Sequence, residues 1–145
     1  MRMSFLNPAV ESELRNLLGR FDCQAGSVHV LSGEQLFLVA AVGIPGQVLQ
    51  MISVVPVGKG MAGLAAERKE TVQVCNLQAD DSGVVQPGAK ATGMEGSIAL
   101  PMWMKIEGKK EVKGVLGVAK TVAHQYSDAE IQNLLKEASL LAEKL

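Results

Sequence analysis

GKGMAG, residues 58–63, fits the spacing G-x-G-x-x-G and runs into the helix-forming segment LAAERKE. Two readings compete. In a dinucleotide-binding fold, glycines at this spacing let the backbone approach a pyrophosphate at a helix N-terminus; elsewhere they only turn the chain and let a helix pack closely. The first reading needs a strand before the glycines, a helix after them, and a parallel strand carrying an acidic residue about 20 positions on. VVPV precedes Gly58, and Asp80 and Asp81 fall near that distance. The surroundings, however, replace the β-α-β alternation that enforces parallel pairing with hairpins. SVHVLS and QLFLVAAV flank Gly33-Glu34, while SIALPMWM and EVKGVLGVAKT flank the polar turn KIEGKK. The helix before Thr71 is short, and both acids lie in a loop beyond the strand TVQVCNL. The glycines are therefore read as a turn, and no G-K-[ST] occurs that would form a phosphate loop.

Outward from this motif the pattern is that of one domain spanning 1–145. Asn7-Pro8 opens a helix with a capping residue and a first-turn proline, and Val10, Leu14, Leu17, Leu18 and Phe21 fall on one of its faces. A short apolar segment, QVLQMI, leads into VVPV. Gln78–Gly93 is a loop of a length that in compact domains serves as a lid or a binding loop, or is disordered. Ser127 and Glu130 form a capping box for a last helix whose stripe is Ile131, Leu134, Leu135, Ala138, Leu141, Ala142 and Leu145.

Composition excludes several functions. A net charge of −1 gives no steering field for nucleic acid, and an aromatic fraction of 3% leaves little with which to stack bases. No apolar stretch approaches the ~20 residues of a membrane span, and no secretory leader pattern is present, so a cytoplasmic protein without a membrane or nucleic-acid partner is expected. Cys23 and Cys75 are expected as free thiols. His29 and His124 have no partner at ligand spacing, so neither metal nor other cofactor is expected. Cys75, at a strand end, reads as a small buried hydrophobe. KIEGKK with Lys113 reads as a solvated hairpin tip. Serine hydrolase chemistry would need Ser27 or Ser97 beside His29 with an orienting acid, and no nucleophile elbow accompanies them.

VVPVGKGMAGLAAERKETVQVCNL, followed by SIALPM, KGVLGVA and YSDAEIQNLL, resembles in order and spacing the GAF domain family, over nearly the whole chain from about Pro8 to Leu145. The resemblance implies an α+β, profilin-like fold: a central antiparallel sheet of five to six strands with helices on both faces and a ligand pocket between the sheet and the loop after the third strand. It also implies that the glycine motif is a turn. The special branches of the family are not matched. No N-K-x-F-D-E string of the cyclic-nucleotide binders occurs, and neither Cys23-Gln24 nor Cys75-Asn76 is the Cys-His pair common among bilin binders. The free methionine-(R)-sulfoxide reductases are similar in length, but where their motifs place two cysteines, an aspartate and a glutamate this chain has Ala62, Lys90, Ala91 and Ser97.

By the two-residue strand period, Ser97, Ala99 and Trp103 share one strand face, and Val115, Gly117 and Ala119 share another. Paired small residues leave volume that either a closely packed helix or a ligand can fill. Under the family resemblance the expected pocket comprises Cys75, Asn76, Asp80, Asp81, Thr92, Met94, Ser97, Ala99, Gly117 and Ala119. Terminal helices of GAF proteins often pair with a copy, so a homodimer touching through Leu140, with Trp103 as a rival contact, is expected. The function expected is a non-catalytic sensory domain that binds an unidentified small molecule and signals to a kinase or regulator on another chain. The alternatives are a methionine sulfoxide reductase-like enzyme and a ligand-free interaction module.

Overall fold

A computed structural model describes residues 5–85 and 87–145. Helix α1 (Pro8–Arg20) begins where Asn7 Oδ1 accepts hydrogen bonds from the backbone N–H groups of Ala9 and Val10, at 2.9 and 3.3 Å. The two hairpins supply the centre of the sheet. Strands β1 (Ala25–Ser32) and β2 (Gln35–Val42) join through Gly33-Glu34, with Gly33 at φ 64°. Helix α2 (Gly46–Ile52), formed by the apolar QVLQMI segment, is followed by the edge strand β3 (Val54–Pro56). Helix α3 (Gly60–Arg68) starts inside the glycine motif, and strand β4 (Val72–Val74) closes the far edge. A short helix, α4 (Pro87–Lys90), interrupts the long loop, in which Gln86 lies outside the described residues. Strands β5 (Gly96–Ile106) and β6 (Lys109–Lys120) precede the last helix, α5 (Asp128–Ala142).

The six strands form one sheet in the order β3-β2-β1-β6-β5-β4, and every pairing is antiparallel. This excludes the parallel frame of a dinucleotide fold. The glycine motif is a turn whose three glycines are each required by geometry: Gly58 and Gly60 have φ 94° and 65°, and a Cβ on Gly63 would come within 2.5 Å of the Pro56 carbonyl oxygen. Gly58 N–H in turn donates to the Gly63 carbonyl at 2.8 Å, closing the loop on itself.

Large aliphatic side chains alternate with small ones along the central strands. On one face Val28, Ile98, Leu100, Met102, Leu116 and Val118 meet Val10, Leu14, Leu17 and Leu18 of α1 and Leu134, Ala138, Leu141 and Ala142 of α5. Burying such a side chain is worth about 1.5–3 kcal/mol, so this face holds most of the core. Lys120, at the end of β6, is buried with it. Its Nζ donates to the Phe21 and Asp22 carbonyls at 2.8 and 2.9 Å, which satisfies the C-terminal end of α1 with a cation. The Ser127–Glu130 capping box is present at the start of α5, and its backbone hydrogen bond is the main reason the Glu130 carboxyl lies below its usual range.

Two sequence expectations need correction. The turn of the second hairpin is only Glu107-Gly108, at φ 51° and 82°, and the rest of KIEGKK continues the strands, because two residues with positive φ already match the strand twist. Cys75 is exposed rather than buried, because β4 ends at Val74 and the chain leaves the sheet there. The close approach at Gly63 makes a substitution test. Alanine usually stabilises a helix relative to glycine by up to ~1 kcal/mol, and Gly19→Ala, with nothing within 4 Å of the new Cβ, is expected to do so. Gly63→Ala should instead lose about 1–3 kcal/mol in urea unfolding, because its methyl group meets backbone; equal stabilisation by the two substitutions would contradict the packing described.

Candidate functional site

The opposite face of the sheet is floored by small side chains in register. One cross-strand row runs Ala25–Ala119–Ser97 and the next Ser27–Gly117–Ala99; a third places His29 beside Val115 and Pro101. Missing bulk here is not made up by close helix packing. A cavity of about 340 Å³ remains, roofed by α2, β3, the start of α3 and the loop before β5. Small-molecule sites commonly measure ≈ 300–1,000 Å³. The roof is apolar, with Val48, Ile52, Val55, Met61 and Leu77 among its lining residues.

Of the residues expected in a pocket, Thr92, Met94, Ser97, Ala99, Gly117 and Ala119 line this cavity, while Cys75, Asn76, Asp80 and Asp81 do not. Local turn chemistry explains the difference. Asn76 Oδ1 accepts from the Gln78 N–H at 3.0 Å, and Asp80 Oδ2 accepts from the Ser82 hydroxyl at 2.8 Å, so both side chains hold the loop instead of facing the sheet. Asp81 is exposed. The loop is itself braced: Gln78 Nε2 donates to the carbonyls of Lys90 and Met94, and Lys90 Nζ donates to that of Asp80. Trp103 lies beyond a bulge at Met102/Trp103, with Lys110 Nζ 4.9 Å from its ring centre, and with Ser139 of α5 and Glu143 just after that helix it lines a shallow depression away from the cavity. Leu140 is 53% exposed on the same helix.

Sequence reading missed Ser27 and His29 as lining residues. Their alternation along SVHV was legible, but only the pairing of β1 with β6 puts them beside Gly117. His29 is 2% exposed, and its Nε2 lies 2.8 Å from the Ile52 carbonyl oxygen, which joins the centre of the sheet to the end of α2. Burial holds the His29 pKa below its ordinary value, against the smaller opposing effect of the Ile52 hydrogen bond. Ser27, His29 and Ser97 thus line one cavity, yet among the described residues no carboxylate lines it and the histidine is engaged with backbone, so the parts of a serine hydrolase are not assembled there.

Neither thiol reaches the cavity. Cys23 is buried, packed in the core cluster under α1 and α5, and burial pushes its thiol up; Cys75 is exposed off the end of β4. At the positions where the reductase motifs carry reactive groups, Ala62 and Ser97 line the cavity, Lys90 is tied to the Asp80 carbonyl and Ala91 is exposed. Among the described residues no group of three His, Cys, Asp or Glu side chains could hold a metal ion, and no helix is long and apolar enough to cross a membrane.

The sequence model of the GAF domain family matches residues 10–143. The chain belongs to the GAF domain family. No curated protein matches it significantly. Among solved structures it is similar to the GAF domain of a phosphoenolpyruvate-protein phosphotransferase from Coxiella burnetii, at 20% identity and TM-score 0.74 over 93% of this chain and 79% of that one. A free methionine-R-sulfoxide reductase from Neisseria meningitidis in complex with its substrate is similar at 18% identity and TM-score 0.73, over 93% and 74% of the two chains. So is a domain assigned to a two-component sensor histidine kinase of Sinorhizobium meliloti, at 19% identity and TM-score 0.69 over 94% and 87%. At these identities the likeness is one of fold.

The buried histidine gives a pH test. A base whose folded pKa is lowered takes up a proton more readily when the chain unfolds, so stability falls as pH drops below the unfolded value of 6.5. Urea midpoints at about pH 7.5 and about pH 5.5 should therefore differ more in the wild type than in His29→Phe, which lacks that proton. Identical differences in the two proteins would mean that folding does not lower the pKa of His29.

Proposed function

We propose that this GAF domain is a non-catalytic sensory module that takes a small molecule into the cavity over Ala99, Gly117 and Ala119 and reports its occupancy to a partner protein, a kinase or another regulator. The observation that carries this reading is the floor of small residues under a roof of short elements. A sheet face left without bulk in this way would lose packing for nothing if it were never filled. The roof is suited to responding. Helices α2 and α4 lie beside each other and both line the cavity, and α2 ends on the carbonyl that meets His29, so the roof is built of short elements next to the guest's place. Sensor-type neighbours of the same fold agree with a regulatory role.

The rival reading is an enzyme like the methionine sulfoxide reductases of this fold. Reduction of a sulfoxide needs a thiolate to attack sulfur and a second thiol to resolve the product. With both cysteines of the chain off the cavity, the residues favour binding over turnover. A thermal-shift panel of metabolites on the wild type and on Gly117→Leu tests the two together. A true ligand at 100 times its dissociation constant should add about 2.7 kcal/mol to the wild type and nothing to the variant. Stabilisation of neither protein by any compound would favour a ligand-free interaction module. Reduction of free methionine sulfoxide that disappears on alkylating Cys75 would replace the sensory reading with the enzymatic one.

We further propose that the domain works as a cytoplasmic homodimer with α5 in the contact, since Leu140 is exposed on it one residue from the Ser139 side of the Trp103 depression. Sedimentation should then show a dimer that Leu140→Glu shifts to monomer while its circular dichroism stays that of the folded chain, with an unfolding midpoint no longer dependent on protein concentration; a wild-type monomer at all concentrations would rule this out.

A further inference from the structure

Two serine hydroxyls on the cavity floor make no hydrogen bond within the described residues. Ser27 pairs with Gly117, which pairs with Ala99, and Ala99 packs with Met61 and Leu77 on the cavity side of the sheet. Ser97 precedes Ala99 by two residues on β5 and so shares that face. Ser27 Oγ leans toward β6, standing 3.2 Å from where a Cβ on Gly117 would be. Both serines are half-buried and neither oxygen is sealed off; among the described residues His29 Nδ1 is the one polar side-chain atom that is both enclosed and unpartnered. Thr92, by contrast, is used by its own loop: its hydroxyl donates to the Ala89 carbonyl at 2.6 Å and accepts from the Met94 N–H at 3.1 Å.

The placement of the two hydroxyls defines the guest that meets both. Strand β6 lies between their strands and they belong to adjoining cross-strand rows, which puts their Cα atoms roughly 12 Å apart at the usual strand spacing and rise. A single polar group cannot span that distance. Between them the floor is Gly117 and Ala119, which offer only apolar contact. Lys59, exposed at the start of α3, is the one ionised side chain among the described lining residues, so an ion brought to either serine would lie without a counter-ion. A serine hydroxyl both donates and accepts, and an alcohol, phenol, carbonyl or amide can therefore meet it. Size narrows the guest again, since about 340 Å³ is near the lower end for ligand sites.

Resting on the ligand-binding reading above, we infer that Ser27 and Ser97 set the specificity of the cavity: they select a compact, uncharged molecule with a hydrogen-bonding group at each end and an apolar body, such as a single ring, lying across Gly117 and Ala119. The two serines then separate such a molecule from a hydrocarbon of the same shape.

Four para-substituted benzenes of matched shape test this. 4-Hydroxybenzyl alcohol carries a hydroxyl at both ends, 4-ethylphenol and 4-methylbenzyl alcohol at one, and 4-ethyltoluene at neither. Each is titrated into the full-length wild type, Ser27→Ala and Ser97→Ala, so that a probe is compared only with itself and its own hydration cancels. The two-ended probe should lose about three- to tenfold in affinity in each variant, the range of one hydrogen bond. Each one-ended probe should lose in at most one variant, and 4-ethyltoluene in neither. In the wild type with isotopically labelled serine, 4-hydroxybenzyl alcohol should shift the Cβ resonances of both Ser27 and Ser97 by more than 4-ethyltoluene does, a readout that stands even if a variant does not fold. An undiminished affinity of the two-ended probe in either variant, as when an ordered water alone meets that serine, would overturn the inference and leave the cavity reading standing. So would a loss shared by 4-ethyltoluene, or binding of 4-ethyltoluene without the two-ended probe. Failure of all four probes to bind would remove the cavity reading and this inference with it.

Discussion

Side-chain size on the two faces of the central strands is the constraint from which the rest of the structure follows. Strands β1, β6 and β5 put Val28, Leu116, Val118, Ile98 and Leu100 on one face and Ala25, Ser27, Gly117, Ala119, Ser97 and Ala99 on the other. The first face has enough apolar surface to seat two long helices and fix the register of the sheet, since a slip by one residue would exchange the faces. The second cannot fill its own side. Helix α3 covers part of it through Met61, Ala65 and Ala66, and the remainder stays open as the cavity.

The glycine motif serves this asymmetry. Gly63 lets the first turn of α3 sit against the Pro56 carbonyl, which brings the helix over the edge of the sheet, and the positive-φ glycines before it make the sharp reversal from β3. The same spacing that in a parallel sheet would place a pyrophosphate on a helix here places a helix beside a cavity. What distinguishes the two cases is strand direction, and that follows from the hairpins on either side.

The folding signals that were local in sequence were legible there. Asn7-Pro8 and the Ser127–Glu130 box mark helix starts because a cap is made within three residues. Gly33-Glu34 marks a hairpin. Signals that depend on partners were not legible. Cys75 has the composition of a buried strand end, yet β4 stops one residue earlier; Asp80 and Asn76 look like polar pocket residues, yet each is used up by a hydrogen bond two residues along the chain. Their role is to stiffen the loop that forms part of the roof.

The amino-acid sequence by itself determined the family, the antiparallel pairing within two hairpins, the turn role of the glycines and the presence of small residues on β5 and β6. These are matters of spacing and of contacts within a few residues. Only the tertiary structure decided that β1 lies against β6, so that Ser27 and His29 join Gly117 and Ala99 on one floor, and that His29 spends one nitrogen on Ile52 and leaves the other unmatched. Those facts depend on residues far apart in the chain, and no local pattern encodes which strands become neighbours.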